Sequence, residues 1–200
     1  MYTRFSTQQL ASLEAARRRR DRGVGSLWAQ EDRKAPMSDV PGIGSRAASA
    51  ERVRRVLAAH GLADGVLTCA QSTKTARAAA DAVGCDLGQI AKSIVFVADG
   101  RPVLAVVAGD RRGDAGAIGA AVGAGRVMLA DPETVLAATG YTVGSVSPFD
   151  LPAGLIVLID ESLARFDTVL PAAGTADSVV PVPLSRLVEL TGGRLEPIAR

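Results

Sequence analysis

Two apolar runs, residues 93–98 and 102–108, are separated by Asp99 and Gly100. An Asp-Gly pair between apolar runs is among the strongest local signals for a hairpin, because both turn positions need positive φ, which Gly adopts freely and Asp tolerates. No other feature constrains the fold as tightly. It makes the two runs antiparallel neighbours and the first of them a buried strand. Just ahead of that strand stands a single lysine, Lys92, among Ile90, Ala91 and Ile94.

Helix signals surround the hairpin. Ser45 can cap a helix carrying Val53, Val56 and Leu57 on one face, with Gly61 closing it. A short strand is expected over 66–69. Thr73 can then cap an alanine-rich helix that reaches about Val83 and stops at Gly84. Asp114 opens a glycine-interrupted helix to about Ala124, followed by a short strand at 126–129. Asp131-Pro132 starts a helix that Gly140 stops. A glycine- and serine-rich loop follows, then a buried strand at 155–159, a strand pair near 168–170 and 179–182, and a last helix over 185–190. Hairpins mixed with helices, without strict strand–helix alternation, point to an α+β domain with a mixed, curved sheet.

Charge divides the chain. Residues 1–36 hold eight Lys/Arg, including Arg17 to Arg20, against four Asp/Glu. The remainder holds fifteen against seventeen, so it lacks the broad cationic face that grips long nucleic acid by counterion release. Residues 1–40 read as a basic, disordered N-terminal extension with a short helix over 7–20. They serve either as an RNA arm or, more plainly, as a tail or sequence ahead of a start at Met37. Residues 45–197 form the folded domain. No apolar run approaches the ~18 residues of a membrane span, and the N-terminus lacks an apolar signal core. Cys69 and Cys85 make no CxxC pair, and no His/Cys cluster suggests a metal. The expectation is a cytoplasmic protein with no cofactor, metal or membrane partner.

Three stretches could carry chemistry. The folded body has thirteen arginines but only two lysines, Lys74 and Lys92. Lys74 reads as a solvated charge on a helix turn. Lys92 is either a positioned cation for an anionic or carbonyl oxygen, or a snorkelling strand-end lysine. The second stretch, GYTVGSVSPFDLP at 140–152, contains Gly140, Gly144, Ser145, Ser147 and Pro148. Its glycines permit close ligand approach, and its backbone N–H groups can converge on an oxygen; an ordinary helix-to-strand connection is the plainer reading. In the third, PAAGTADSVV at 171–180, Thr175 and Asp177 either face a pocket or close a hairpin. The single histidine, His60, ends a helix and reads as a cap. The chain has no GxSxG elbow, Walker loop or Rossmann fingerprint.

Taken in order, QIAKSIVFVADGRPVLAVVAGD, DPETVLAATGYTVGSVSPFDLP, LIVLID and PAAGTADSVV resemble the YbaK/ProX family of aminoacyl-tRNA editing domains, over about residues 46–195. The resemblance implies a mixed, mostly antiparallel barrel-like sheet with flanking helices. It also implies a deacylase that hydrolyses the ester of mischarged tRNA in trans, with a small amino acid preferred. Lys92 matches the family's pocket lysine. Gly144 to Pro148 match its GxxxP element, which contacts the substrate carbonyl and positions water. The segment with Gly174, Thr175 and Asp177 matches the amino-acid pocket but departs from relatives that carry a histidine there. Ser93 stands where a threonine is common. The resemblance thus implies Lys92, Gly144 and Ser145 as catalytic, with Gly140, Ser147, Pro148, Gly174, Thr175 and Asp177 in substrate binding. The implied partners are the CCA end of mischarged tRNA and an aminoacyl-tRNA synthetase. A non-catalytic binder of that CCA end, or of a nucleotide, fits the same residues.

Overall fold

The Asp-Gly turn forms as the sequence requires, with Asp99 at φ 46° and Gly100 at φ 80°. In the computed structural model, which describes residues 45–69 and 75–200, this turn joins β2 (Ile90–Ala98) to β3 (Arg101–Ala108) in an unbroken antiparallel ladder from Ala91↔Ala108 to Ala98↔Arg101. The expected basic extension, the 7–20 helix, Thr73 and Lys74 lie outside the described residues. Before the hairpin come α1 (Arg46–Ala59), β1 (Leu67–Thr68) and α2 (Ala76–Val83). After it come α3 (Ala115–Val122), β4 (Val127–Leu129), α4 (Pro132–Thr139), β5 (Ile156–Asp160), β6 (Thr168–Pro171), β7 (Ser178–Val179), β8 (Val182–Pro183), α5 (Leu184–Thr191) and β9 (Arg194–Glu196).

The main sheet runs β8-β6-β2-β3-β5-β9, and β4 also pairs with β2. It is mixed, with β2–β3, β2–β4 and β6–β8 antiparallel and β2–β6, β3–β5 and β5–β9 parallel, and it curls into a half-barrel with helices at its flanks. Apolar residues fill both faces of the hairpin, which is why its runs are continuous. One face packs Ala91, Val95, Leu104 and Val106 against Val53 and Leu57 of α1, Tyr141, Val146 and Phe149. The other packs Phe96, Val103, Ala105 and Val107 against Ile118, Leu158 and Ile198.

Local chemistry sets the helix ends. Ser45, Asp114 and Asp131 each accept a backbone N–H three residues on, and Gly84, Gly123 and Gly140 end their helices in the left-handed conformation. The cap of α2 is Thr75, whose side chain accepts from Ala78 N–H; the helix starts two residues later than a Thr73 cap implies. The strand pair expected at 168–170 and 179–182 is divided. Strand β7 pairs with β1, and β8 pairs with β6. Pro181 lies between them and has no N–H to continue a ladder.

One edge of β2 positions the candidate site. Strand β6 pairs with it only at Ile90↔Leu170 and Ala91↔Pro171, and β4 only from Phe96 to Ala98. Between those two partners, residues 92–95 have no strand neighbour on that edge among the described residues.

Candidate active site

A cavity of about 190 Å3 opens at the gap in the β2 edge. Its walls are Ile90 to Ser93 of β2, Thr75, Ala76 and Ala79 at the start of α2, Leu170 and Ala172, Gly144 and Val146, and Thr175, Ala176, Ser178 and Val179. Three segments singled out in the sequence therefore meet here. A larger groove of about 460 Å3 lies between α1 and the 173–178 segment and shares Thr175 and Ser178 with the cavity. Neither Lys92 nor Gly144 lines that groove.

Lys92 is half-buried, and its Nζ donates to the Arg111 carbonyl oxygen at 2.6 Å. Burial pushes the ammonium's pKa down from the ordinary lysine value; nearby Asp110 opposes the shift and Arg112 adds to it. An ammonium has three donors, so one bond to Arg111 leaves others for a ligand. Its neighbour Ser93 projects to the opposite face of the strand. The Ser93 hydroxyl is buried with no hydrogen-bond partner, unlike any other buried side-chain N or O among the described residues. The Val95 carbonyl accepts from Ala130 N–H, so strand alternation puts the N–H and C=O of Ser93 on that same gapped edge.

Gly144 lies at φ 88°, with open space where a Cβ would stand. Among the described residues, the N–H groups of Gly144 and Val146 have no hydrogen-bond partner. Neighbouring residues hold the loop around them. Ser145 is outside the cavity wall; its hydroxyl bonds to the Thr142 carbonyl and to the Thr142 hydroxyl, both at 2.9 Å. Ser147 is fully buried and donates to the Ala172 carbonyl at 2.7 Å, tying the loop to the end of β6. Pro148 is buried beside it. Gly140 ends α4, and its carbonyl accepts from Arg52 Nη1.

Arg52, which the sequence reading did not single out, clamps both ends of this loop. It reaches the carbonyls of Thr139, Gly140 and Asp150 and the Asp150 carboxylate, and its guanidinium lies 4.4 Å from the centre of the Tyr141 ring. Tyr141 is fully buried and donates to the Phe149 carbonyl at 2.8 Å; burial pushes its pKa up to about 12.

The 171–178 segment turns back through Gly174, at φ 93° under α1. Thr175 lines the cavity, whereas Asp177 faces the outer groove and pairs with Arg46. The segment therefore both closes a turn and faces a pocket. Ser178 was legible only as part of the quoted stretch; a lone serine beside two valines carries no signal of its own.

These features define a small α+β domain with a half-buried lysine and uncommitted backbone amides around a compact cavity, a constellation suited to holding a carbonyl or anionic oxygen. The chain belongs to the aminoacyl-tRNA editing domain family, whose model matches residues 70–190. It is an enzyme that hydrolyses the ester of mischarged aminoacyl-tRNA. Among solved structures, it resembles a protein proposed as a trans-editing enzyme for prolyl-tRNA synthetase, with TM-score 0.70 and 35% identity, covering 76% of this chain and 97% of that one. It is 37% identical over 121 residues to YwhH of Bacillus subtilis, covering 60% of this chain and 76% of that protein. It is 25% identical over 125 residues to EbsC of Enterococcus faecalis, proposed as a Cys-tRNA(Pro)/Cys-tRNA(Cys) deacylase, covering 62% and 76%. It also matches proline–tRNA ligase of Nitratidesulfovibrio vulgaris at 35% over 96 residues, 48% of this chain but only 17% of the ligase. No helix among the described residues is long and apolar enough to cross a membrane.

Proposed function

We propose that the cavity at the β2 edge holds the aminoacyl ester of a mischarged tRNA and that the protein cleaves it in trans with water. The observation that carries this reading is the convergence of Lys92, Gly144 and Thr175, from three separate segments, on one cavity of about 190 Å3. An aminoacyl ester is already activated, so its hydrolysis needs orientation and oxyanion stabilisation more than a strong nucleophile. Water oxygen bonds to the ester carbonyl carbon, and the carbonyl oxygen gains negative charge. The bond to the ribose oxygen then breaks, that oxygen takes up the proton lost by water, and the free amino acid leaves. Lys92 and the Gly144 and Val146 amides stabilise the developing oxyanion.

On this reading Gly140, Ser145, Ser147 and Pro148 hold the loop in shape, Gly174 lets the chain pass beneath α1, and Asp177 fixes Thr175. The cavity lies below the ~300–1,000 Å3 usual for drug-sized ligands. Its alanine walls at Ala79, Ala172 and Ala176 favour a small amino acid. The adjoining groove, with exposed Arg46 and Arg54 at its margin, receives the CCA end. Prolyl-tRNA synthetase is the natural partner, and the cytoplasm the compartment.

The test is release of labelled amino acid from tRNAs charged with Ala, Ser, Cys or Pro. At least one is expected to be deacylated by the full chain and spared by Lys92→Ala. Tight binding of charged tRNA with every ester left intact would make the protein a binding module and sink the deacylase reading.

A further inference from the structure

Arg46, Asp177, Thr175 and Ser178 form a hydrogen-bonded chain from the protein surface to the cavity wall. Arg46 Nη2 donates to Asp177 Oδ2 at 2.5 Å, and Thr175 Oγ1 donates to Asp177 Oδ1 at 2.7 Å. The hydroxyl oxygens of Thr175 and Ser178 are 2.6 Å apart. Thr175, Asp177 and Ser178 are buried, while the Arg46 side chain is largely exposed.

Chemistry fixes the order of protons along this chain. The hydrogen bond from Thr175, with Arg46 behind it, holds the Asp177 carboxyl below the usual carboxylate range, so at neutral pH it only accepts. Thr175 has one hydroxyl proton and commits it to that carboxylate. The close contact between the two hydroxyls then takes the proton of Ser178. Ser178 is left with lone pairs and no proton to offer the cavity, and among the described residues its hydroxyl has no other partner.

We infer that Ser178 Oγ, oriented by Asp177 through Thr175, is the acceptor for the α-ammonium of the aminoacyl group. The inference rests on the cavity being the aminoacyl site and adds a direction to it. The ammonium lies at Ser178, and the ester carbonyl lies toward Lys92 and Gly144, which also keeps two cations apart. Because the wall at Ser178 accepts and does not donate, the site reads a free amine. Aminoacyl-tRNA enters in register, and N-acylated tRNA, peptidyl-tRNA included, is spared.

The test uses 3′-alanylamino-3′-deoxyadenosine, whose amide replaces the labile ester, and its N-acetyl derivative, each titrated calorimetrically into the full chain. A hydrogen bond to a charged group corresponds to about ten- to a hundredfold in affinity. The free amine is therefore expected to bind at least about tenfold tighter than the N-acetyl form. Ser178→Ala and Thr175→Val should cut that preference to within about twofold; Thr175→Ser, which keeps the relay, should retain it. A preference that survives both Ser178→Ala and Thr175→Val, no preference in the native chain, or no binding of either probe overturns the inference. The probe is not turned over, so the two readings fail separately. Selective binding without deacylation of any charged tRNA refutes the deacylase and leaves the ammonium site standing. Equal hydrolysis of free and N-acetylated aminoacyl-tRNA refutes the ammonium site alone.

Discussion

Gly174, Gly154 and Gly144 share nearly one φ, 93°, 87° and 88°, in different surroundings. A Cβ at Gly174 would stand 2.5 Å from the Ser49 carbonyl oxygen and 2.9 Å from both the Ser49 carbonyl carbon and Val53 Cγ2. At Gly154 and Gly144 it would meet nothing within 4 Å. Alanine at any of the three incurs ~1–2 kcal/mol for positive φ. Reduced freedom of the unfolded chain returns ~0.4–1 kcal/mol. A net loss of about 1 kcal/mol is thus expected at Gly154 and Gly144. At Gly174 two of the three contacts are helix backbone, which cannot rotate away. Restoring ordinary ~3.5–4.0 Å separation requires α1 to move by roughly 1 Å, and overpacking of that kind costs ~1–3 kcal/mol.

Gly174→Ala should therefore lose about 2–4 kcal/mol, measured as a shift in urea midpoint at unchanged m-value. Helix α1 also carries Arg46 and Arg52, so the same variant should weaken binding of charged tRNA. Gly144→Ala should lose turnover with little stability. Equal destabilisation by Gly174→Ala and Gly154→Ala would show that the passage beneath α1 is not tight, and the steric reasoning would fall.

Removing Lys92 should separate activity from stability. Lys92→Met is expected to lower deacylation by ~10²–10³ while leaving the fold at least as stable at neutral pH. Because burial lowers this pKa, the unfolded chain holds the proton more tightly. The penalty of burying the charge is therefore fully present at neutral pH, and the stability gap between variant and native chain should close as pH rises toward 10.5. Arg52→Lys should reduce kcat/KM about tenfold in steady-state assays, since one ammonium cannot reach Thr139, Gly140 and Asp150 together. In Tyr2→Phe, ultraviolet titration should show the remaining tyrosine, Tyr141, ionising near a pH of about 12. Ser93→Ala removes a buried hydroxyl without a partner, so thermal unfolding should show a gain of up to ~1 kcal/mol while turnover falls.

The parts legible in the sequence are those that a few neighbouring residues decide alone. Asp99-Gly100 specifies its turn, Asp131-Pro132 and Gly140 bound their helix, and Lys92 is conspicuous where arginine is the rule. Thr75 in place of Thr73 is a choice between two equivalent caps two residues apart, which only the docking of α2 decides. Strand β9 is not legible because Arg194-Leu195-Glu196 is too short a run for an alternating pattern to stand out; its place comes from pairing with β5. The roles of Arg46, Arg52 and Ser178 depend on partners about 90 to 130 residues away or on a hydroxyl proton's direction, and no local pattern encodes either. The same holds for Ser145, which a motif marks as functional while its hydroxyl is bound within the loop's own turn.

Several departures from local satisfaction gather in one place. The helix starts at Ser45, Thr75, Asp114 and Asp131 are capped, and the β2–β3 ladder is complete. Yet, among the described residues, one cavity collects a stretch of β2 edge without a strand partner, a half-buried lysine, two amides without partners and the unbonded Ser93 hydroxyl. The buried members of this set, the lysine charge and the Ser93 hydroxyl, cost stability, and sequences that fold well avoid such costs unless function requires them. An aminoacyl ester with its ribose has carbonyl and ester oxygens for the lysine and amides, an ammonium for a hydroxyl acceptor, and hydroxyls for the strand edge. On the proposed function, these groups favour a polar, doubly functional ligand over the purely apolar one that the alanine-lined walls alone would suggest.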